Sequence, residues 1–193
     1  MKLIDTTVRH FLAAVRSPDP TPGGGSSAAL AGAMGASLLA MVAGLPTSRA
    51  ATGEDARRLK AAGERSTALA DEMATLIDRD SEAYDLVLAA YKKPKGTDDE
   101  KAARSAAIQE AMRTAISAPL EVMRACAAAA EQGVVVGELG LLSASSDVQV
   151  GLELLRAGMR GAKLNVEINL ESVKDAGYAA TIREEIERVQ GVV

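Results

Sequence analysis

A chain of 193 residues with a formal charge of −4 is long enough to bury a full core and has no strongly basic balance for nucleic acid. Hydrophobic residues make up 48% of it but aromatics only 2%, so the core is made of Ala, Leu and Val, with 17 Gly letting helices approach closely. A single Cys excludes an internal disulfide, and a single His excludes the paired Glu-x-x-His motifs of a di-iron bundle.

The first predicted helix covers about Leu3 to Val15 and ends before Ser17-Pro18-Asp19-Pro20. Its apolar side is Ile4, Val8, Phe11, Leu12 and Val15, with His10 on the polar side. Charges interrupt Met1-Lys2-Leu3-Ile4-Asp5, so no signal-peptide pattern is present and a cytoplasmic location is expected.

From Pro20 to Ser48 there is no charged residue. The length suits a membrane span. The stretch opens with Pro20-Thr21-Pro22-Gly23-Gly24-Gly25-Ser26-Ser27, however, and continues mostly in Ala and Gly, which favours a central helix from Gly25 or Ser26 to Gly44 over a span. The glycines let the backbone turn, and Ser26 or Ser27 is placed to cap the first amides. Free amides at a helix start attract an anionic or carbonyl oxygen, so Pro22, Gly23, Gly24, Gly25 and Ser26 are candidate binding residues. The run is not a P-loop, since no Gly-Lys-Ser/Thr follows. The competing reading is a tight loop that only starts a buried helix.

The third helix runs from Glu54 to Tyr91 with Gly63 its only Gly, closed by Lys92-Lys93-Pro94-Lys95-Gly96. Its apolar positions are Leu69, Met73, Leu76, Ile77, then Tyr84, Val87, Leu88 and Tyr91. Asp80 interrupts that stripe where a Leu is expected. An inward carboxylate costs several kcal/mol unless paired, so Asp80 has either a structural partner or a chemical task.

Thr97 is the predicted N-cap of a fourth helix, with Glu100 completing a capping box. That helix is expected to kink at Pro119 and to end near Gln132. Cys126, among alanines, reads as a buried filler. Val134-Val135-Val136 with Gly137 and Gly140 reads as a connector. A fifth helix begins after Ser145-Ser146 and runs on past Gly161 toward a sixth that ends before Gly191. Asp147, Gly151, Leu154, Gly158, Gly161 with Ala162, and Asn165 share one face of it. That face suits a second helix, with Asp147 as an N-terminal cap, or a flat ligand between Asp147 and Asn165. No linker or repeat divides the chain, so residues 1–193 are expected to form one all-α domain of five to six helices.

These segments together resemble the cyclodeaminase/cyclohydrolase family. It comprises the cyclodeaminase domain of formiminotransferase-cyclodeaminase and the stand-alone methenyltetrahydrofolate cyclohydrolases. The resemblance rests on Pro20 to Ser26 with the Ala/Gly helix, on Asp78-Arg79-Asp80-Ser81-Glu82-Ala83-Tyr84, on Lys93-Pro94-Lys95 and on Pro119-Leu120-Glu121-Val122. It also rests on Ser146-Asp147-Val148-Gln149-Val150 continuing to Gly161-Ala162-Lys163-Leu164-Asn165-Val166-Glu167-Ile168-Asn169-Leu170. It implies an all-helical fold that forms a homodimer or larger homo-oligomer, a folate site near the dimer interface, and a carboxylate base on the long helix. Asp80 matches that base, with Asp78 second. The substrate is a tetrahydrofolate derivative, the chemistry requires no metal or other cofactor, and neither nucleic acid nor membrane is an expected partner. The chain departs from the family at Leu141, where an Asn often follows the Gly, and Lys163 is not part of the family pattern. For a lone domain the implied activity is the cyclohydrolase; the alternatives are the cyclodeaminase or a non-catalytic folate-binding or helical interaction module.

Overall fold

The computed structural model describes residues 2–46 and 48–191. Six α-helices follow one another: α1 (Val8–Val15), α2 (Gly24–Ala43), α3 (Gly53–Tyr91), α4 (Asp98–Leu139), α5 (Ser145–Leu170) and α6 (Ala176–Gln190), with 3-10 turns at Leu3–Asp5 and Leu142–Ala144. Among the described residues there is no strand, in keeping with the helical pattern read along the chain. The fold is all-α.

Local signals set most of the starts. Thr7, Thr52, Thr97 and Asp175 each accept a backbone amide three residues on, and Thr97 with Glu100 completes the capping box. The start of α2 differs, because its N-cap is Gly23 and no side chain of its own caps it.

α2 is the central element, packed by α3, α4 and α5, while α3 pairs with α4 and α4 with α5. By length and composition it is a helix able to cross a membrane. Here it instead lines the bundle core with Ala29, Ala36, Leu39 and Val42 against Leu69, Met73, Leu76, Ile77, Ile116, Met123 and Leu155. Burying each of the larger side chains contributes roughly 1.5–3 kcal/mol. The α2–α5 contact is closest where glycines meet: a Cβ on Gly158 would stand 2.9 Å from the Ala28 carbonyl oxygen and the Gly32 nitrogen. The small-residue face of α5 is therefore a helix-packing face over Gly151, Gly158 and Ala162. The order of contacts, Gly35 by Gly151 and Gly32 by Gly158, makes the two helices antiparallel.

Three expectations differ from the structure. The first helix is broken: residues 3–5 form a 3-10 turn, Thr7 caps a shorter α1, and the Leu3 amide donates to Asp78 Oδ1 at 2.5 Å. Of its apolar side only Phe11 is buried, while Ile4, Val8 and Leu12 are more than 40% exposed. Next, Val134 to Val136 are not a connector, because α4 continues through them and through Pro119 to Leu139. Val136 and Leu139 fall on the buried face, so packing overrides β-branched propensity there. The Arg49 amide donates to the Leu139 carbonyl at 2.9 Å and its Nε to that of Gly140 at 3.0 Å, closing the extended end. Last, beyond Asp80 the inward stripe of α3 runs Ala83, Val87, Ala90, while Tyr84 and Tyr91 are 39% and 46% exposed. Small residues occupy the side on which α4 comes close, against Ile108, Met112 and Ala115.

Candidate active site

The site is built on the first turn of α2. The amides of a helix start have no intrahelical acceptor and carry the positive end of the helix dipole. Gly23 offers no side chain to satisfy them, and the group that arrives is Asp80, projected from the middle of α3. The Ser26 hydroxyl donates to Asp80 Oδ2 at 3.0 Å, and the Ser26 amide also favours the ionised carboxylate. Gly25 has no Cβ because Asp80 occupies that space: a Cβ there would stand 2.6 Å from Oδ2 and closer still to Oδ1. On the neighbouring side, Asn165 of α5 lies against Gly24, its Nδ2 3.3 Å from the position of a Cβ and bonded to the Gly161 carbonyl at 2.9 Å. A carboxylate and a carboxamide thus flank the same glycine-opened turn. Gly24 is exposed and both flanking side chains are half-buried, so the turn is open to a ligand.

The electrostatics of Asp80 follow from this setting. Burial pushes its pKa above the ordinary carboxylate value, and the Ser26 hydroxyl and amide pull it only part of the way back. Among the described residues no Lys or Arg pairs with it. Arg79, its neighbour in sequence, turns the other way and bonds Glu121 of α4 at 2.5 and 3.0 Å. An Asp desolvated without a counter-ion is poised to accept a proton or to face a cationic substrate.

The other expected site residues are distributed as follows. Pro22, after a cis Thr21-Pro22 bond, and Gly25 are buried beneath the turn; Gly23 and Gly24 are more open. Ser26 is wholly buried and faces Asp80 rather than solvent. Asp78 holds the N-terminal turn through the amides of Leu3 and Ile4, away from the α2 start. Asp147 lies 18 residues before Asn165, about 27 Å along α5, so one subunit does not bring the two together. Leu141, at that far end, packs against the core. Lys163 Nζ donates to Gln190 Oε1 at 2.8 Å. His10 is exposed on α1, and Cys126 is buried 3.6 Å from Met73 Sδ with its thiol pushed up to about 12, too high to ionise near neutrality.

The sequence reading missed Ser81. Its Oγ lies 3.2 Å from Ser26 Oγ, and Ser26 also donates to the Ile77 carbonyl at 2.9 Å. The signal was a second polar residue next to Asp80 in an apolar stripe.

Fold and site together describe an all-helical bundle in which a desolvated carboxylate meets the glycine-opened start of the central helix. The formiminotransferase-cyclodeaminase family pattern matches residues 7–188. The chain is 41% identical over 181 residues to the methenyltetrahydrofolate cyclohydrolase of Methylorubrum extorquens, covering 94% of this chain and 87% of that one. It is 37% identical over 188 residues to the formimidoyltransferase-cyclodeaminase of Sus scrofa, covering 95% of this chain but only 34% of that longer protein. The crystal structure of a formiminotetrahydrofolate cyclodeaminase from Thermotoga maritima superposes with a TM-score of 0.87 at 26% identity, over 99% of this chain and 91% of that one. The chain belongs to the formiminotransferase-cyclodeaminase family.

Proposed function

We propose that this chain is a methenyltetrahydrofolate cyclohydrolase, hydrolysing 5,10-methenyltetrahydrofolate to 10-formyltetrahydrofolate, with Asp80 as its general base. The observation that carries the proposal is Asp80 itself, desolvated, with no Lys or Arg partner among the described residues and set beside the open Gly24 turn. The methenyl substrate is cationic at the reacting carbon, and an unpaired carboxylate offsets that charge. As the water oxygen bonds to this carbon, Asp80 takes one of its protons. It returns that proton to N5 as the carbon–N5 bond opens, and the remaining hydroxyl proton leaves to solvent as the formyl carbonyl forms. Water and a carboxylate suffice for these steps. Gly23, Gly24 and Asn165 form the proposed folate contacts, with the buried Pro22, Gly25 and Ser26 shaping them from beneath.

Similarity over 87% of the length of the Methylorubrum cyclohydrolase supports this choice over the cyclodeaminase. The second reading, formimidoyltetrahydrofolate cyclodeaminase, is favoured by the close superposition on the Thermotoga enzyme. There the same base would assist N10 in attacking a formimino carbon while ammonia leaves. Decay of methenyltetrahydrofolate absorbance, measured where spontaneous opening is slow, separates the two. Enzyme-dependent decay supports the cyclohydrolase. Ammonia release from the formimino substrate without that decay favours the second reading, and neither signal leaves a non-catalytic folate-binding module.

The proposed assembly is a cytoplasmic homodimer or larger homo-oligomer. Ile4, Val8 and Leu12 with Met34 and Met41 of α2 leave apolar side chains facing outward, and a second copy of the chain is the occupant proposed for them. Residues 1–193 act in it as one domain. Light scattering that shows a monomer at micromolar concentration overturns this part.

A further inference from the structure

Among the described residues Ser26 and Ser66 are the two wholly buried polar side chains, and the single hydroxyl proton of Ser26 has three acceptors in reach. These are the Ile77 carbonyl at 2.9 Å, Asp80 Oδ2 at 3.0 Å and Ser81 Oγ at 3.2 Å. A hydroxyl donates once and accepts twice, so its orientation depends on the charge of its neighbour. With Asp80 ionised, Ser26 donates to Oδ2 and Ser81 donates to Ser26 Oγ. With Asp80 protonated, the new carboxyl O–H donates to Ser26 Oγ, and the Ser26 proton turns to the Ile77 carbonyl. Both arrangements keep the Ser26–Asp80 contact hydrogen-bonded, with Ser26 donating in the first and the carboxyl donating in the second.

We propose that Ser26 and Ser81 are positioning residues for the reaction, a pair of hydroxyls that reverses its hydrogen bonds to hold Asp80 in both of its protonation states. The proposal rests on the reading of Asp80 as the base. A base that accepts a proton in one step and releases it in the next needs hydrogen-bond support in each state, or the unsupported state is disfavoured in a partly buried site. Ser81 is half-buried, so it also links the buried pair to the open side of the turn.

The charged surroundings leave this task to the hydroxyls. α2 presents no ionisable group, since none occurs from Pro20 to Ser48. On α3, Asp78 is bound by the Leu3 and Ile4 amides, Arg79 by Glu121 of α4, and Glu82 is exposed. α5 brings the neutral Asn165, and its Lys163 reaches Gln190 and Glu167.

The test is a carboxyl carbon-13 NMR titration of Asp80 in the full-length protein, beside the pH profile of kcat/KM for methenyltetrahydrofolate. The variants are S26A, S26C, which keeps the buried volume with a weaker donor, S81A and S81T. S26A loses a bond to each form, but the bond to the ionised carboxylate is charge-assisted and about twice as strong as the neutral one, so the Asp80 titration and the acid limb move upward by about one pH unit. S26C and S81A shift less in the same direction, and S81T stays with the parent. A folded S26A or S26C whose Asp80 titrates as in the parent overturns the proposal, as does S81T behaving like S81A. Because the NMR titration needs no turnover, a protein inactive on this substrate but showing these shifts overturns the proposed function and leaves the hydroxyl pair standing.

Discussion

Gly25 on α2 and Asp80 on α3 occupy complementary space: the hydrogen in place of a side chain at Gly25 is what lets the Asp80 carboxylate reach the first turn of α2. Gly25→Ala forces the carboxylate out or the two helices apart. The expected cost is roughly 1–3 kcal/mol of stability, with activity falling further than that loss explains. Gly24 faces the open side, where only the end of the Asn165 side chain is near. Gly24→Val should therefore keep the helix content and melting temperature close to the parent but weaken folate binding. Calorimetric titration with a folate analogue, together with thermal melts, reads both variants. Unchanged affinity in folded Gly24→Val would reduce the turn to a helix start.

Asp80→Asn separates catalysis from structure. Among the described residues no cation depends on Asp80, so the change strands no buried charge there, and the melting temperature should stay level or rise. Activity should fall by roughly 10²–10⁴-fold, the range of general base catalysis. A destabilised but active variant would remove Asp80 from the mechanism and move attention to Asp78.

The pH dependence has a definite sign. Burial raises the folded-state pKa of Asp80 above its unfolded value, so the folded protein holds the proton over a window in which the unfolded chain has lost it. Stability linked to this group is complete below the unfolded value and declines as pH rises through the raised one. The ionised base is needed for activity, so the acid limb of kcat/KM should lie above the ordinary carboxylate range. Thermal melts of parent and Asp80→Asn across pH 3 to 8 (roughly, from the usual carboxylate values upward) should converge toward low pH. Melts that diverge toward low pH would contradict the assignment.

Gly158→Ala probes the scaffold without touching the base. The added methyl meets the Ala28 carbonyl and the Gly32 nitrogen at 2.9 Å, where backbone faces backbone and no side chain gives way. Destabilisation of roughly 1–3 kcal/mol in chemical unfolding is expected, with the acid limb of the pH profile unmoved. A neutral or stabilising effect would show that α2 and α5 slide more freely than their contact implies.

The sequence by itself determined the helical class, the Thr97 cap, the glycine-opened start of the central helix and the oddity of Asp80, because these are written in local periodicity and in single residues out of pattern. It misplaced the end of α4, where Val134 to Val136 are held helical by burial of Val136 and Leu139 rather than by their own preference. It also set Tyr84 and Tyr91 on the inner face of α3, where the approach of α4 leaves room only for Ala83 and Ala90. The site shows the same division. Asp80 and Asn165 were both legible as polar residues on small or apolar faces, but they are 85 positions apart. Only the antiparallel packing of α2 on α5 and its contact with α3 sets one beside Gly24 and the other beside Gly25. The same packing sends Asp147 to the far end of α5 and gives Asp78 to the N-terminal turn. Spacing along a helix fixes which residues share a face. Which end of that face meets which neighbour is decided by the direction of the neighbouring helix, and no local sequence signal carries that direction.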